Sequence, residues 1–106
     1  MAMQTCKICN SEINVEESKY IVIPEGYVHL DCWITQVFRL RNINKELFGA
    51  LSTVIDYLLS SKLLLKEVIR TEDITEFKDD IFTLIKDIDN KISKLLDIIY
   101  NCVIKR

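Results

Sequence analysis

The chain has 106 residues, 49% of them hydrophobic and 28% charged, with two Gly and one Pro. That length holds one domain, or one domain with a small appendage, and the abundance of apolar residues with so few turn formers excludes disorder and an all-β barrel. Sixteen acidic against fourteen basic residues leave a net charge of −2, so no global positive field draws the protein to nucleic acid or anionic lipid.

The first segment, Met1-Ala2-Met3-Gln4-Thr5, reaches Cys6 without an apolar signal core, and no apolar run is expected to approach the ~20 residues of a membrane span. A soluble, cytoplasmic protein without membrane contact is expected. Tyr20-Ile21-Val22-Ile23, the tight-turn tripeptide Pro24-Glu25-Gly26 and Tyr27-Val28-His29 predict a β-hairpin. Leu30, Trp33, Ile34, Val37, Phe38 and Leu40 then recur at spacings of three and four, so a helix starts where the hairpin ends.

A boundary falls near Asn42-Ile43-Asn44, with one part over 1–41 and a second over 42–106. In the second part Ile43, Leu47, Leu51, Val54, Leu58, Leu65 and Ile69 share one helical face, ending near Arg70 with Thr71 as a cap. Glu72, Asp73 and Glu76 suit the first turn of a further helix, where negative charge meets the positive end of the dipole. Its apolar positions are Ile74, Phe77, Ile81, Leu84, Ile88, Ile92, Leu95, Ile99 and Cys102, and it runs to about Ile104. A connection this short forces an antiparallel return, giving a long helical hairpin.

The chemistry concentrates in Cys6-x2-Cys9-x19-His29-x2-Cys32, one complete Cys3His ligand set. A C-x2-C turn brings two sulfurs to one ion, and residues three apart at a helix start point the same way. A thioredoxin-like dithiol needs a βαβ unit, which is lacking around Cys6, and leaves His29-x2-Cys32 unexplained. Four protein ligands close the sphere, so one structural Zn²⁺ is expected rather than a catalytic one. The deaminase pattern needs Glu two residues after its His, where Asp31 stands here. Ile8, Ile21, Ile23, Val28 and Trp33 make a modest core, too small to fold without the metal.

The order Cys-x2-Cys knuckle, hairpin, His-x2-Cys at a helix start resembles a treble-clef zinc finger over residues 6 to about 40, and more narrowly the first half of a LIM domain. No second ligand set follows Cys32, so the two-zinc LIM module and its tandem partner surfaces do not carry over. With Val28-His29-Leu30-Asp31-Cys32 ahead of leucine-rich helices, the whole chain resembles a family of small uncharacterised archaeal proteins, which implies no activity. The expected fold is mainly α with a small β-hairpin (α+β), a treble-clef-like zinc lobe followed by a long antiparallel helical hairpin.

The apolar arc of the second helix exceeds what one neighbour hides, since Phe48, Ile55, Leu59, Leu63 and Leu64 lie outside the main stripe. The zinc lobe folding back, a second copy, or another protein must cover the rest. Protein assembly is therefore the expected function, as a homodimer or on a larger partner, through Leu47, Leu51, Val54, Leu58, Leu65, Ile81, Ile88, Leu95 and Ile99. The alternative is a nucleic-acid-associated factor using a local basic edge of Lys7, Lys19, Arg39, Arg41 and Lys45, beside a second row at Lys62, Lys66 and Arg70. An enzyme is not expected: the one His is committed to metal, and neither a Gly-rich phosphate loop nor a Ser nucleophile motif occurs. Cys102 reads as a small core hydrophobe, with an intermolecular disulfide as its other role. Asp79, Asp80 and Asp87 read as a solvated face.

Overall fold

The computed structural model describes residues 3–71 and 75–104. Glu72, Asp73 and Ile74, expected to restart the last helix, lie outside them. The chain measures 49 × 26 × 18 Å, its long dimension set by the helical hairpin.

Two short antiparallel strand pairs open the fold. β1 (Met3–Thr5) pairs with β2 (Glu12–Asn14), and β3 (Tyr20–Ile23) pairs with β4 (Gly26–His29). The second pair is the hairpin that the β-branched run predicts; the first is additional to it. Three-residue strands carry almost no periodicity, and fully buried Ile13 is the only apolar residue of β2. In the β3–β4 turn Pro24 presets one backbone angle, and Gly26 takes φ +130°, which a side chain resists. A Cβ there would also lie 3.0 Å from Cε of Lys7, whose stem crosses the turn.

Helix α1 (Leu30–Phe38) follows β4 directly and turns Leu30, Trp33 and Val37 into the core. Asn44 begins α2 (Lys45–Thr71), its Oδ1 accepting the Leu47 amide at 3.1 Å as an N-cap. After a 3₁₀ turn at Thr75–Phe77, α3 (Lys78–Ile98) returns antiparallel and closes with a π turn at Ile99–Val103. Pairing of Ile43 with Ile104, and the Asn44 amide on the Val103 carbonyl, tie the open end of the hairpin together.

The core is continuous from lobe to hairpin: Cys6, Ile13, Val28, Leu30, Trp33, Phe48, Ile55, Ile99 and Val103 are all in it. Trp33 sits at the junction, fully buried, edge-on to Phe48 at 5.2 Å and donating Nε1–H to Tyr100 Oη at 2.9 Å. Phe38 meets the other side of Phe48 at 5.0 Å. This aromatic contact sets the rotation of α2. The face turned inward is Phe48, Ser52, Ile55 and Leu59, one position along from the Leu47, Leu51, Val54, Leu58 stripe. Leu47 and Val54 are exposed, and Leu51, Leu58 and Leu65 are half-buried.

The π turn has a comparable effect on the last helix. One extra residue in the turn brings both Ile99 and Val103 inward and leaves Cys102 exposed, so Cys102 is not a core residue. Phe77 and Leu84 are likewise exposed, while Ile85 is buried in the seam beside Ile92. Asp79, Asp80 and Asp87 face solvent as the pattern predicts.

One expectation about apolar runs is corrected. Lys45–Arg70 is long and apolar enough, by length and composition, to cross a membrane, because its apolar residues lie around most of the helix rather than in one unbroken stretch. Its inward side is packed on α3 and the lobe, with Lys62 bonded to Asp89 at 2.7 Å and Lys66 donating to the Val15 carbonyl at 3.3 Å.

Candidate metal centre

Cys6 and Cys9 sit on the bend between β1 and β2. The bend closes by Asn10 N–H on the Cys6 carbonyl and Cys6 N–H on the Ser11 carbonyl, each 2.9 Å. Asn10 holds φ +63°, a left-handed conformation that Asn tolerates better than most residues. His29 ends β4 and stands at the N-cap of α1, placing Cys32 in the first turn. Lys7 N–H on the Tyr27 carbonyl, at 2.9 Å, stitches the bend to β4 and brings the two ligand pairs together.

All four donor atoms lie within 4.8 Å of one another. His29 Nδ1 is 3.3 Å from Cys9 Sγ and 3.7 Å from Cys32 Sγ. A tetrahedral ion with metal–sulfur bonds of about 2.3 Å and metal–nitrogen bonds of about 2.0 Å needs sulfur–nitrogen edges near ~3.5 Å, which the two distances from Nδ1 bracket. The imidazole tautomer is fixed from behind: Nε2–H donates to the Glu12 carbonyl at 3.2 Å, leaving the Nδ1 lone pair toward the sulfurs. The Cys9 and His29 amides point at Cys6 Sγ, at 3.5 and 3.4 Å, and supply partial positive charge to a thiolate.

These contacts separate the thiols. For Cys6, burial favours the neutral form, but hydrogen bonds from the Cys9, His29 and Ile8 amides together outweigh it and bring the pKa down to about 6. Cys9 is lowered chiefly by the Ser11 amide. Cys32 is pushed up to about 12, first by burial and then by the nearby Cys9 and Cys6 sulfurs. For His29, burial opposes the charged form, but hydrogen bonding to Cys6 and Cys9 and their negative charge hold its pKa above the ordinary value. Cys6 is thus ionised at neutral pH without a metal, whereas Cys32 gives up its proton only to one.

Cys6 is buried, His29 and Cys32 are half-buried, and Cys9 is exposed. The Cys9 side is therefore the open side of the cluster, and the four residues offer one metal ion a tetrahedral donor set.

The remaining candidate residues fall differently. Ile99 is fully buried and is not available to a partner, while Ile81, Ile88 and Leu95 are half-buried along α3. The basic edge is divided. Lys19 is paired with Asp56 at 2.6 Å, Lys7 and Arg41 line a cleft of about 540 Å³ beside Val28 and Tyr100, Arg39 borders a separate cleft with Cys32, and Lys45 opens α2. In the second row Lys62 and Lys66 are held by Asp89 and Val15, and Arg70 by Glu67 at 2.7 Å. Apart from Glu67, three residues before Arg70 on the same helix, these partners are invisible in a linear charge count. The sequence reading also misses the Glu12 carbonyl behind His29, since a backbone acceptor leaves no side-chain signature.

Residues 2–101 match the model of a family described as "Uncharacterized protein conserved in archaea (DUF2175)", and the chain belongs to that family. Neither the curated proteins nor the solved structures contain a match.

Proposed function

We propose that this chain is a small, non-catalytic assembly module of the cytoplasm. In this reading one structural Zn²⁺, held by Cys6, Cys9, His29 and Cys32, folds a treble-clef-like lobe. The lobe anchors a helical hairpin that docks on protein through apolar helix faces.

The observation that carries the reading is an imbalance. The lobe's donor set is complete and its buried residues share one core with the hairpin, whereas α2 and α3 keep Leu47, Val54, Tyr57, Leu64, Val68, Phe82 and Leu84 exposed. Scattered apolar residues are ordinary on a surface, but a row of them along one helix marks an interaction site. Zinc fits three thiolates and one imidazole in tetrahedral array, and complete coordination by protein leaves no place for a reacting water. A set of reduced thiols suits a reducing compartment. A nucleic-acid role is supported less well, because Lys19, Lys62, Lys66 and Arg70 already have partners.

The test combines metal analysis with native capture of the tagged full chain. One equivalent of zinc per chain is expected, together with a protein associate, either the chain itself or another. A Cys6→Ser variant is expected to lose both. Zinc-loaded protein that is captured alone and stays monomeric overturns the assembly reading, and capture of nucleic acid in a salt-sensitive manner replaces it with the alternative.

A further inference from the structure

The hairpin uses one side of α2, and the opposite side carries a second apolar row in heptad register. Leu47, Val54, Ser61 and Val68 are seven residues apart, and Ala50, Tyr57 and Leu64 fall between them at alternating spacings of three and four. They occupy the a and d places of three heptads, and all seven are exposed, Tyr57 at 68% and Leu64 at 67%. At 3.6 residues per turn this row lies roughly 160° around the helix from Phe48, Ser52, Ile55 and Leu59. It contains no charged residue.

We propose that α2 pairs with α2 of a second copy of this chain, as a parallel two-stranded coiled coil along Leu47, Val54, Tyr57, Leu64 and Val68. The inference rests on the assembly reading and names its partner. Three features select this occupant. The strict seven-residue repeat keeps facing a partner only if two helices supercoil, since a straight helix drifts ~20° per heptad away from a flat groove. Valine at two a places with leucine at a d place favours two strands, and the single polar Ser61 at a favours one register. Register selects the direction: parallel pairing sets the polar Ser61 against its own counterpart, whereas antiparallel pairing sets it against an apolar d place.

Size sets the strength. The 27 residues of α2 make a rod about 40 Å long and about 10 Å across, so one face covers on the order of 400 Å² in projection. Two such faces fall below the ~1,200–2,000 Å² of standard interfaces, even with Leu51, Leu58 and Leu65 widening the contact. The dimer is therefore reversible and depends on concentration.

Sedimentation equilibrium of the zinc-loaded full chain, from about 10 µM to about 1 mM, tests the pairing. The mass is expected to climb from 12.4 kDa toward twice that value. Leu64→Lys should weaken association at least tenfold with unchanged zinc content and helical circular dichroism, because Leu64 is exposed and no core contact is lost. Ser61→Cys, placed in a Cys102→Ser background, should cross-link on mild oxidation by forming a disulfide with its own counterpart. A monomer at every concentration overturns self-pairing while leaving capture of a different protein to decide the assembly reading. A dimer indifferent to Leu64→Lys, failure of position 61 to cross-link, or flotation of monomer with anionic phospholipid vesicles in place of dimerisation each overturns it as well.

Discussion

The amino-terminal lobe and the helical hairpin solve opposite problems. The lobe, built from strands of three or four residues and a nine-residue helix, has little apolar matter of its own and gathers four candidate metal ligands at one point. The hairpin has apolar side chains to spare: Phe48, Ile55, Leu59, Ile85 and Ile92 are buried, yet an entire row remains outside. The difference teaches where each region is sensitive. Chemistry at a few atoms governs the lobe, and area governs the hairpin.

Removing the metal should break this comparison most severely. Structural zinc contributes on the order of 10 kcal/mol or more of apparent free energy in small sites, so chelation or Cys6→Ser is expected to unfold the lobe. Near-ultraviolet dichroism from Trp33 should collapse while much of the far-ultraviolet helical signal persists. Acid acts by the same route. Cys32, pushed up to about 12, must release its proton when the ion binds near pH 7, and the raised pKa of His29 strengthens proton competition in the same direction, so affinity falls as pH falls. Cys6, at about 6, is already ionised at neutral pH and joins the competition only below that value. The slope of log affinity against pH should steepen by about one decade per pH unit there, as one more proton is displaced. A competitive chelator titration across pH 5 to 8 reads it.

A mutation at the junction asks how far the two regions share one stability. Trp33→Ala removes the contact with Phe48 and the Nε1–H bond to Tyr100, and should cost about 3–5 kcal/mol in denaturant unfolding of the zinc-loaded protein. A single transition shifted as a whole would mark lobe and hairpin as one cooperative unit.

The smallest effect concerns the hairpin alone. Gly49 lies inside α2, where a Cβ would meet only Phe38 Cζ at 3.9 Å, an ordinary contact. Its carbonyl accepts the Ser52 and Thr53 hydroxyls, which a methyl group leaves in place. Gly49→Ala should therefore stabilise the protein by about 0.5–1 kcal/mol, measured by thermal melting, without altering zinc content.

Much of the metal centre was legible because its signal is local. Cys6-x2-Cys9 and His29-x2-Cys32 each fit a single turn of chain, and Pro24-Glu25-Gly26 marks the reversal that brings them together. The Glu12 carbonyl behind His29 and the amides on Cys6 were not, since every residue carries such groups and only folding chooses which ones point inward. The helices were legible as long amphipathic segments, but their rotation was not. Apolar residues nearly surround α2, so periodicity admits two rows separated by one residue, and Trp33 against Phe48 decides between them.

The order of residues by itself determined the ligand set, the mainly helical class, the β3–β4 hairpin and the antiparallel return, all of which follow from spacings of a few positions. Tertiary structure alone decided which row of α2 is buried, that Ile99 is enclosed and Cys102 exposed, and which lysines are spent on carboxylates and carbonyls. Those outcomes depend on residues far apart in the chain competing for the same space, and packing resolves that competition only when all of them are present together.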